Sequence, residues 1–137
     1  MAKLYNEAGK IVGNFACIHF YEHGWGSDLT KEIRPHQQQL IQIFKENQQR
    51  YLAECSKCSE WGTVVGLYDG PFHDGKAKLL ASGVSVVSLD DCHRFDKKKG
   101  LLIAINRAAF LINKRVVRKT VDYGLSVKET RYIIVDR

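Results

Sequence analysis

Two stretches of the sequence decide the fold: residues 77–89 read AKLLASGVSVVSL, and residues 96–114 read DKKKGLLIAINRAAFLINK. The first stretch is rich in β-branched residues and follows a loop with glycine and proline, which predicts a strand. The second places apolar residues at steps of four, three and four along one face, at Leu101, Ile105, Ala108 and Ile112. This spacing predicts a helix from Asp96 to about Lys114.

The flanking sequence supplies the remaining elements. Pro35 begins a second amphipathic pattern that predicts a helix from Pro35 to about Ser56. Strands are predicted at Lys10–Glu22 (one or two strands), Thr63–Tyr68, Ala77–Leu89 and Thr130–Val135. This order does not repeat a βαβ unit, so we predict a single α+β domain over residues 1–137, with a largely antiparallel sheet and two main helices.

Composition sets the broad class of the protein. The 137 residues are 45% hydrophobic and 26% charged, as expected for one globular domain. No apolar run reaches the roughly 20 residues of a membrane helix, and the sequence from Met1 to Tyr5 lacks the apolar core of a secretion signal. We therefore expect a cytosolic protein without a membrane partner.

Positive charge is concentrated in one part of the chain. Residues 94–119 hold nine Lys or Arg residues and one carboxylate, a net charge of +8, while the whole chain carries +6. A basic element on a mildly acidic body is typical of proteins with an anionic partner, although a solvated face that keeps the protein soluble gives the same pattern.

Cysteine and histidine patterns do not predict chemistry. The pair Cys55 and Cys58 has the spacing of a zinc knuckle, but Cys92-His93 is a poor second half, because adjacent residues rarely turn toward one metal. We predict no metal site, and zinc binding by Cys55, Cys58 and Cys92 stays open beside the alternative of buried thiols. No nucleophile lies in a recognisable catalytic context, so we predict no catalytic residues and no cofactor.

The entrance of the basic helix is the strongest candidate binding site. Phe95 precedes a first turn that holds Lys97, Lys98 and Lys99, and cations at a helix N-terminus oppose the macrodipole. Helix amides and lysines suit a phosphate, and an aromatic ring suits a base. The alternative is that Phe95 is a hydrophobic staple and that the lysines are solvated.

A motif in this region resembles one family. Cys92, Phe95, Lys97, Gly100, Ile103-Ala104 and Arg107-Ala108 follow a pattern of small bacteriophage proteins, and the chain resembles the Thoeris anti-defence family over about 20 residues. Leu101 stands where that pattern often has a basic residue. The resemblance implies a protein that is not an enzyme. It implies instead one that sequesters cyclic ADP-ribose signals, and in some members cyclic oligonucleotides, in the host cytoplasm.

The resemblance also implies site residues and assembly. We expect a cyclic nucleotide to be bound by Phe95, Lys99, Asn106, Arg107, Arg115 and Arg118, with Arg131 and Tyr132 completing the pocket. It further implies a homo-oligomer, a dimer or a hexamer, with pockets formed partly between subunits.

Other functions are open at this point. The main alternative is a small DNA- or RNA-binding phage accessory protein that uses the basic helix on phosphates. A protein–protein inhibitor and an enzyme acting on cyclic nucleotides are further alternatives. The identity of the preferred cyclic nucleotide and the number of ligand sites do not follow from the sequence.

Overall fold

The computed structural model describes residues 2–21, 24–25, 35–54, 58–69, 78–88 and 96–137. These residues form two helices, α1 (Pro35–Glu54) and α2 (Lys97–Phe110). They also form seven strands: β1 (Ala2–Tyr5), β2 (Ile11–Tyr21), β3 (Gly24–Trp25), β4 (Cys58–Tyr68), β5 (Leu79–Ser88), β6 (Lys114–Asp122) and β7 (Lys128–Asp136).

The seven strands belong to one sheet. Its order is β5-β4-β2-β1-β7-β6, and β3 pairs with β2 outside this path. β1 and β7 run parallel, with Leu4 opposite Tyr132, and the other pairs are antiparallel. The structure thus confirms the predicted α+β fold with a largely antiparallel sheet and two main helices.

The two helices cover opposite faces of the sheet. α1 packs on β2, β4 and β5 through a buried cluster made of Ile18, Phe20, Leu40, Phe44, Val64 and Val84. α2 lies on the other face over a second cluster that includes Leu4, Phe15, Val65, Leu67, Ile105 and Val116. Alternation along each strand separates the clusters, so that Val64 faces α1 and Val65 faces α2.

The sheet curves around α2. This helix packs on β4 and β5 at one end of the strand order and on β6 at the other end. Small residues allow close contact: Ala104 and Ala108 are fully buried, and the backbone of α2 lies directly against Gly83 of β5. A helix that touches both edge strands holds the sheet in its bent shape.

Three strands are absent from the sequence prediction: β1, β3 and β6. The sequence does not predict β6, because four Lys and Arg residues interrupt its valines and obscure the alternation of a strand. It predicts instead that the preceding helix continues to about Lys114. The helix ends at Phe110 instead, because Asn113 adopts a left-handed backbone conformation (φ 58°) that a helix cannot continue. Neither described helix is long and apolar enough to cross a membrane.

Gly83→Ala tests the contact between α2 and β5. A Cβ atom at this position would lie 2.0 Å from the Ala104 carbonyl oxygen and 2.5 Å from the Ala108 nitrogen. Since both atoms belong to helix backbone, we expect the free energy of unfolding to fall by about 3 kcal/mol, as measured by urea denaturation. Ser82→Ala on the same strand is the control and should change the free energy of unfolding by less than about 1 kcal/mol. Equal stability of Gly83→Ala and the wild type would contradict the packing.

Candidate functional site

The exposed face of α2 is the face on which the sequence places polar and basic residues. The exposed residues along it are Lys99, Ile103, Arg107 and Phe110. Phe110 is 58% exposed. Phe110 lies three residues after Arg107, so the ring and the guanidinium group are neighbours on the helix surface. This face therefore offers aromatic and cationic groups together.

A shallow cleft lies at the C-terminal end of this face. It measures about 280 Å³ and is lined by Asn106, Arg107, Phe110 and Arg137. The Arg137 guanidinium lies over the Phe110 ring, 4.3 Å from its centroid. Two guanidinium groups and an aromatic ring thus meet at one place on the described surface.

Asn106 and Arg107 fasten α2 to the sheet. The Asn106 side chain donates to the Leu102 and Val116 carbonyls at 3.0 and 2.9 Å, and its oxygen accepts from the Val116 nitrogen at 2.8 Å. Arg107 donates from Nη1 to the Val84 carbonyl at 2.7 Å. Asn106 therefore has a structural role, whereas Arg107 has further N–H donors beyond the one that binds Val84.

The N-terminal end of α2 is capped by its own sequence. The Asp96 carboxylate accepts from the backbone nitrogens of Lys98 and Lys99 at 3.0 and 3.2 Å. These two amides, which we predicted to bind a phosphate, therefore already donate hydrogen bonds to Asp96. The Lys99 side chain is exposed, and Phe95 lies outside the described residues.

The other predicted site residues lie on the β6–β7 hairpin. Register and alternation put Arg118 on the α2 side of the sheet, and Arg115 and Arg131 on the opposite side. Tyr132 packs edge-on against Phe15 in the α2-side cluster, with centroids 5.1 Å apart. The structure therefore brings Asn106 and Arg107 together and separates them from Arg115 and Arg131.

No protein-family model, curated protein or solved structure matches this chain. The chemistry of the cleft therefore carries the functional interpretation. Guanidinium groups bind phosphate oxygens in a bidentate manner, and an aromatic ring or a guanidinium plane stacks on a nucleobase. The group formed by Arg107, Phe110 and Arg137 suits a small nucleotide.

Another described cleft, of about 470 Å³, lies near the turn at residues 6–8. Its walls include Lys114 and Asp136, which form an ion pair. Because these opposite charges neutralise each other, this cleft is a weaker anion site than the cleft at Arg107.

A partly buried chain of hydrogen-bonded polar side chains lies beneath the start of α2. Cys17 Sγ is 3.6 Å from His19 Nε2, and His19 Nδ1 is 2.9 Å from Thr63 Oγ1. Burial raises the pKa of the Cys17 thiol to about 12, so the sulfur stays protonated at neutral pH. A nucleophilic cysteine needs a thiolate, so this cysteine–histidine pair does not have the character of a catalytic dyad.

Metal ligands do not cluster in the described part of the chain. Among its residues, no group of three His, Cys, Asp or Glu side chains is placed to hold a metal ion. Cys55 and Cys92 lie outside the described residues, and so does the side chain of Cys58. Zinc binding by these three cysteines therefore stays an open prediction of the sequence.

Two residues of the cleft were missing from the predicted set. Phe110 lies on the correct helix face, and its exposed position between two cations was a usable signal. Arg137 gave no signal, because its contact with Phe110 depends on how β7 returns past the end of α2.

Asn106→Ala distinguishes a structural from a binding role. The change leaves the nitrogen and carbonyl of Val116 without their partners, so we expect unfolding to require about 2–3 kcal/mol less free energy. Denaturant titration followed by circular dichroism measures this loss. Asn47→Ala is a matched control, since Asn47 makes one local bond to Ile43 within α1. An Asn106→Ala protein with wild-type stability would argue for a binding role alone.

His19 should make stability depend on pH. Burial, and then the positive charge of Lys97, lower the pKa of His19 below its ordinary 6.5. The unfolded chain therefore takes up a proton near pH 6.5 that the folded chain resists, and the stabilisation from neutral His19 is lost as pH falls below about 6.5. We expect the melting temperature to drop more between pH 7.5 and 5.5 in the wild type than in His19→Gln. An equal fall in melting temperature for the two proteins would show that His19 does not cause the pH dependence.

Proposed function

We propose that the protein binds and sequesters a small cyclic nucleotide signal without cleaving it, with cyclic ADP-ribose isomers as the first candidates and cyclic oligonucleotides as the second. The observation that supports this proposal is the meeting of Arg107, Phe110 and Arg137 at one open cleft. The motif at residues 92–108 resembles the Thoeris anti-defence family, whose members act in this way in the host cytoplasm.

The cleft matches the parts of such a ligand. Arg107 and Arg137 offer two guanidinium groups to the phosphates, and the Phe110 ring offers a stacking surface to the base, worth about 1–3 kcal/mol. Binding of this kind needs neither a nucleophile nor a general base.

A second copy of the chain would complete the site. The cleft is open, whereas slow release requires a ligand that is largely enclosed. Exposed apolar residues flank the cleft at Ile103 and Leu111, and they suit a subunit contact that closes over it. We therefore propose a homo-oligomer, a dimer or a hexamer, in which Ile103, Leu111 and the cleft between them face a partner subunit.

A thermal-shift screen tests the proposal. Cyclic ADP-ribose isomers and cyclic di- and trinucleotides are added to the protein, and a ligand at 100 times its Kd should add about 2.7 kcal/mol of stability. Arg137→Ala and Phe110→Ala should each abolish this shift, while Arg50→Ala, which removes an exposed cation on α1, should retain it.

Recovery of the ligand decides between binding and catalysis. Heating the complex should release the cyclic nucleotide intact, as identified by mass spectrometry. A hydrolysed product would identify an enzyme, and no shift with any of the cyclic nucleotides would reject the sequestration proposal.

A further inference from the structure

The outer part of the β6–β7 hairpin, residues 117–130, is a prominent surface element that the cleft does not use. We propose that this segment, called the arm below, is a β-ribbon that enters the major groove of double-stranded DNA. This proposal does not rest on the cyclic-nucleotide cleft, which lies at the other end of the hairpin near Arg137.

The arm is regular and stands clear of the core. Cross-strand pairing runs without a break from Lys114 opposite Asp136 to Asp122 opposite Lys128. No residue between 117 and 130 is buried. Beyond Tyr132, which pairs with Leu4 of β1, the ribbon runs from Lys119 to Asp122 and extends for about 10 Å at the usual rise of a strand. The arm therefore projects as a two-stranded ribbon.

The tip of the arm is apolar. Leu125 is 99% exposed, and Tyr123 and Val127 beside it are 54% and 56% exposed. Leu125 also has a left-handed backbone conformation (φ 50°), which is rare for a bulky residue. Such a residue at a fully exposed turn has no role in the core, and apolar side chains contact the thymine methyl group in the major groove.

Cations line both faces of the ribbon behind this tip. Arg118 and Lys128 lie on the face toward α2, and Lys119 and Arg131 lie on the other face. Lys119 is directly opposite Arg131, an arrangement of like charges that destabilises a sheet. Within the described part of the chain, Arg118, Lys119 and Lys128 form no ion pair. Glu129 forms an ion pair with Arg131 and offsets part of this repulsion, and an anionic partner would offset the rest.

A hydrogen-bond network runs along the arm from the sheet to Tyr123 near its tip and fixes the direction of the arm. Arg131 donates to the Tyr123 hydroxyl at 2.7 Å, and that hydroxyl donates to Glu129 at 2.5 Å. The Arg131 guanidinium also lies 4.5 Å from the centroid of the Tyr5 ring in β1. These contacts connect the ribbon to the sheet, so the arm is oriented before it meets a partner.

The distribution of charge favours a groove over a flat surface. A DNA major groove is about 12 Å wide, admits a two-stranded ribbon and presents phosphates along both of its sides. A membrane plane would meet only the tip, where Asp122 accepts from the Gly124 nitrogen. The deep, narrow major groove of duplex RNA does not admit such a ribbon.

Fluorescence anisotropy with a short labelled DNA duplex of mixed sequence tests the arm. Arg118→Ala and Lys119→Ala should each weaken binding about fivefold near physiological salt and reduce the salt slope by about 1, because each removes one phosphate contact. Leu125→Ser should weaken binding about tenfold. A duplex with uracil in place of thymine should remove the difference between Leu125→Ser and the wild type.

Matched controls come from the opposite edge of the molecule. Arg50→Ala on α1 removes an exposed cation and Leu80→Ser on β5 removes an exposed leucine, and both should bind the duplex within about twofold of the wild type. Circular dichroism establishes that every variant is folded. Arg137→Ala should bind DNA normally, which keeps this test separate from that of the cleft.

Four results would overturn the proposal. They are no binding of the DNA duplex, wild-type affinity of all three arm variants, equal affinity for duplex RNA of the same sequence, and arm-dependent binding to phosphatidylserine vesicles in place of DNA. The last result would identify the arm as a membrane contact.

Discussion

Two adjacent side chains on α2, those of Asn106 and Arg107, bond to the backbone of strands at opposite edges of the sheet. Asn106 binds Val116 in β6, and Arg107 binds Val84 in β5. Because β5 and β6 are the two ends of the strand order, one turn of helix determines how far the sheet bends. The position of the cleft, the direction of the hairpin and the burial of the α2-side cluster all depend on this connection.

The elements with a clear period were predictable from the sequence. The helix at Pro35, the strands around residues 63–68 and 79–88, and the apolar face of α2 all followed from spacing. β1 and β6 were not predictable, because short or cation-rich strands show no alternation that differs from a loop. Their partners are distant in sequence: Leu4 lies opposite Tyr132. Tertiary pairing, and not local preference, makes these segments strands.

The sequence predicted two of the four residues that line the cleft, Asn106 and Arg107. The way the chain folds explains why the other predicted residues lie elsewhere. Residues 94–119 form one basic stretch in the sequence, but the chain reverses at Asn113. Arg107 therefore lies on the helix, whereas Arg115 and Lys119 lie on the far side of the sheet. One run of positive charge in the sequence becomes two separate surfaces in the fold. A linear count of charge cannot separate them, because strand alternation decides the side.

The parallel pairing of β1 with β7 has a consequence for how the protein is made. Strand β7 joins β1 to β6, so β6 has no partner strand until residues 128–136 have left the ribosome. Contacts between such distant segments slow folding. During synthesis the chain therefore holds an unfinished sheet with an open β1 edge. A nascent protein of this kind exposes the β1 edge to aggregation until β7 pairs with it.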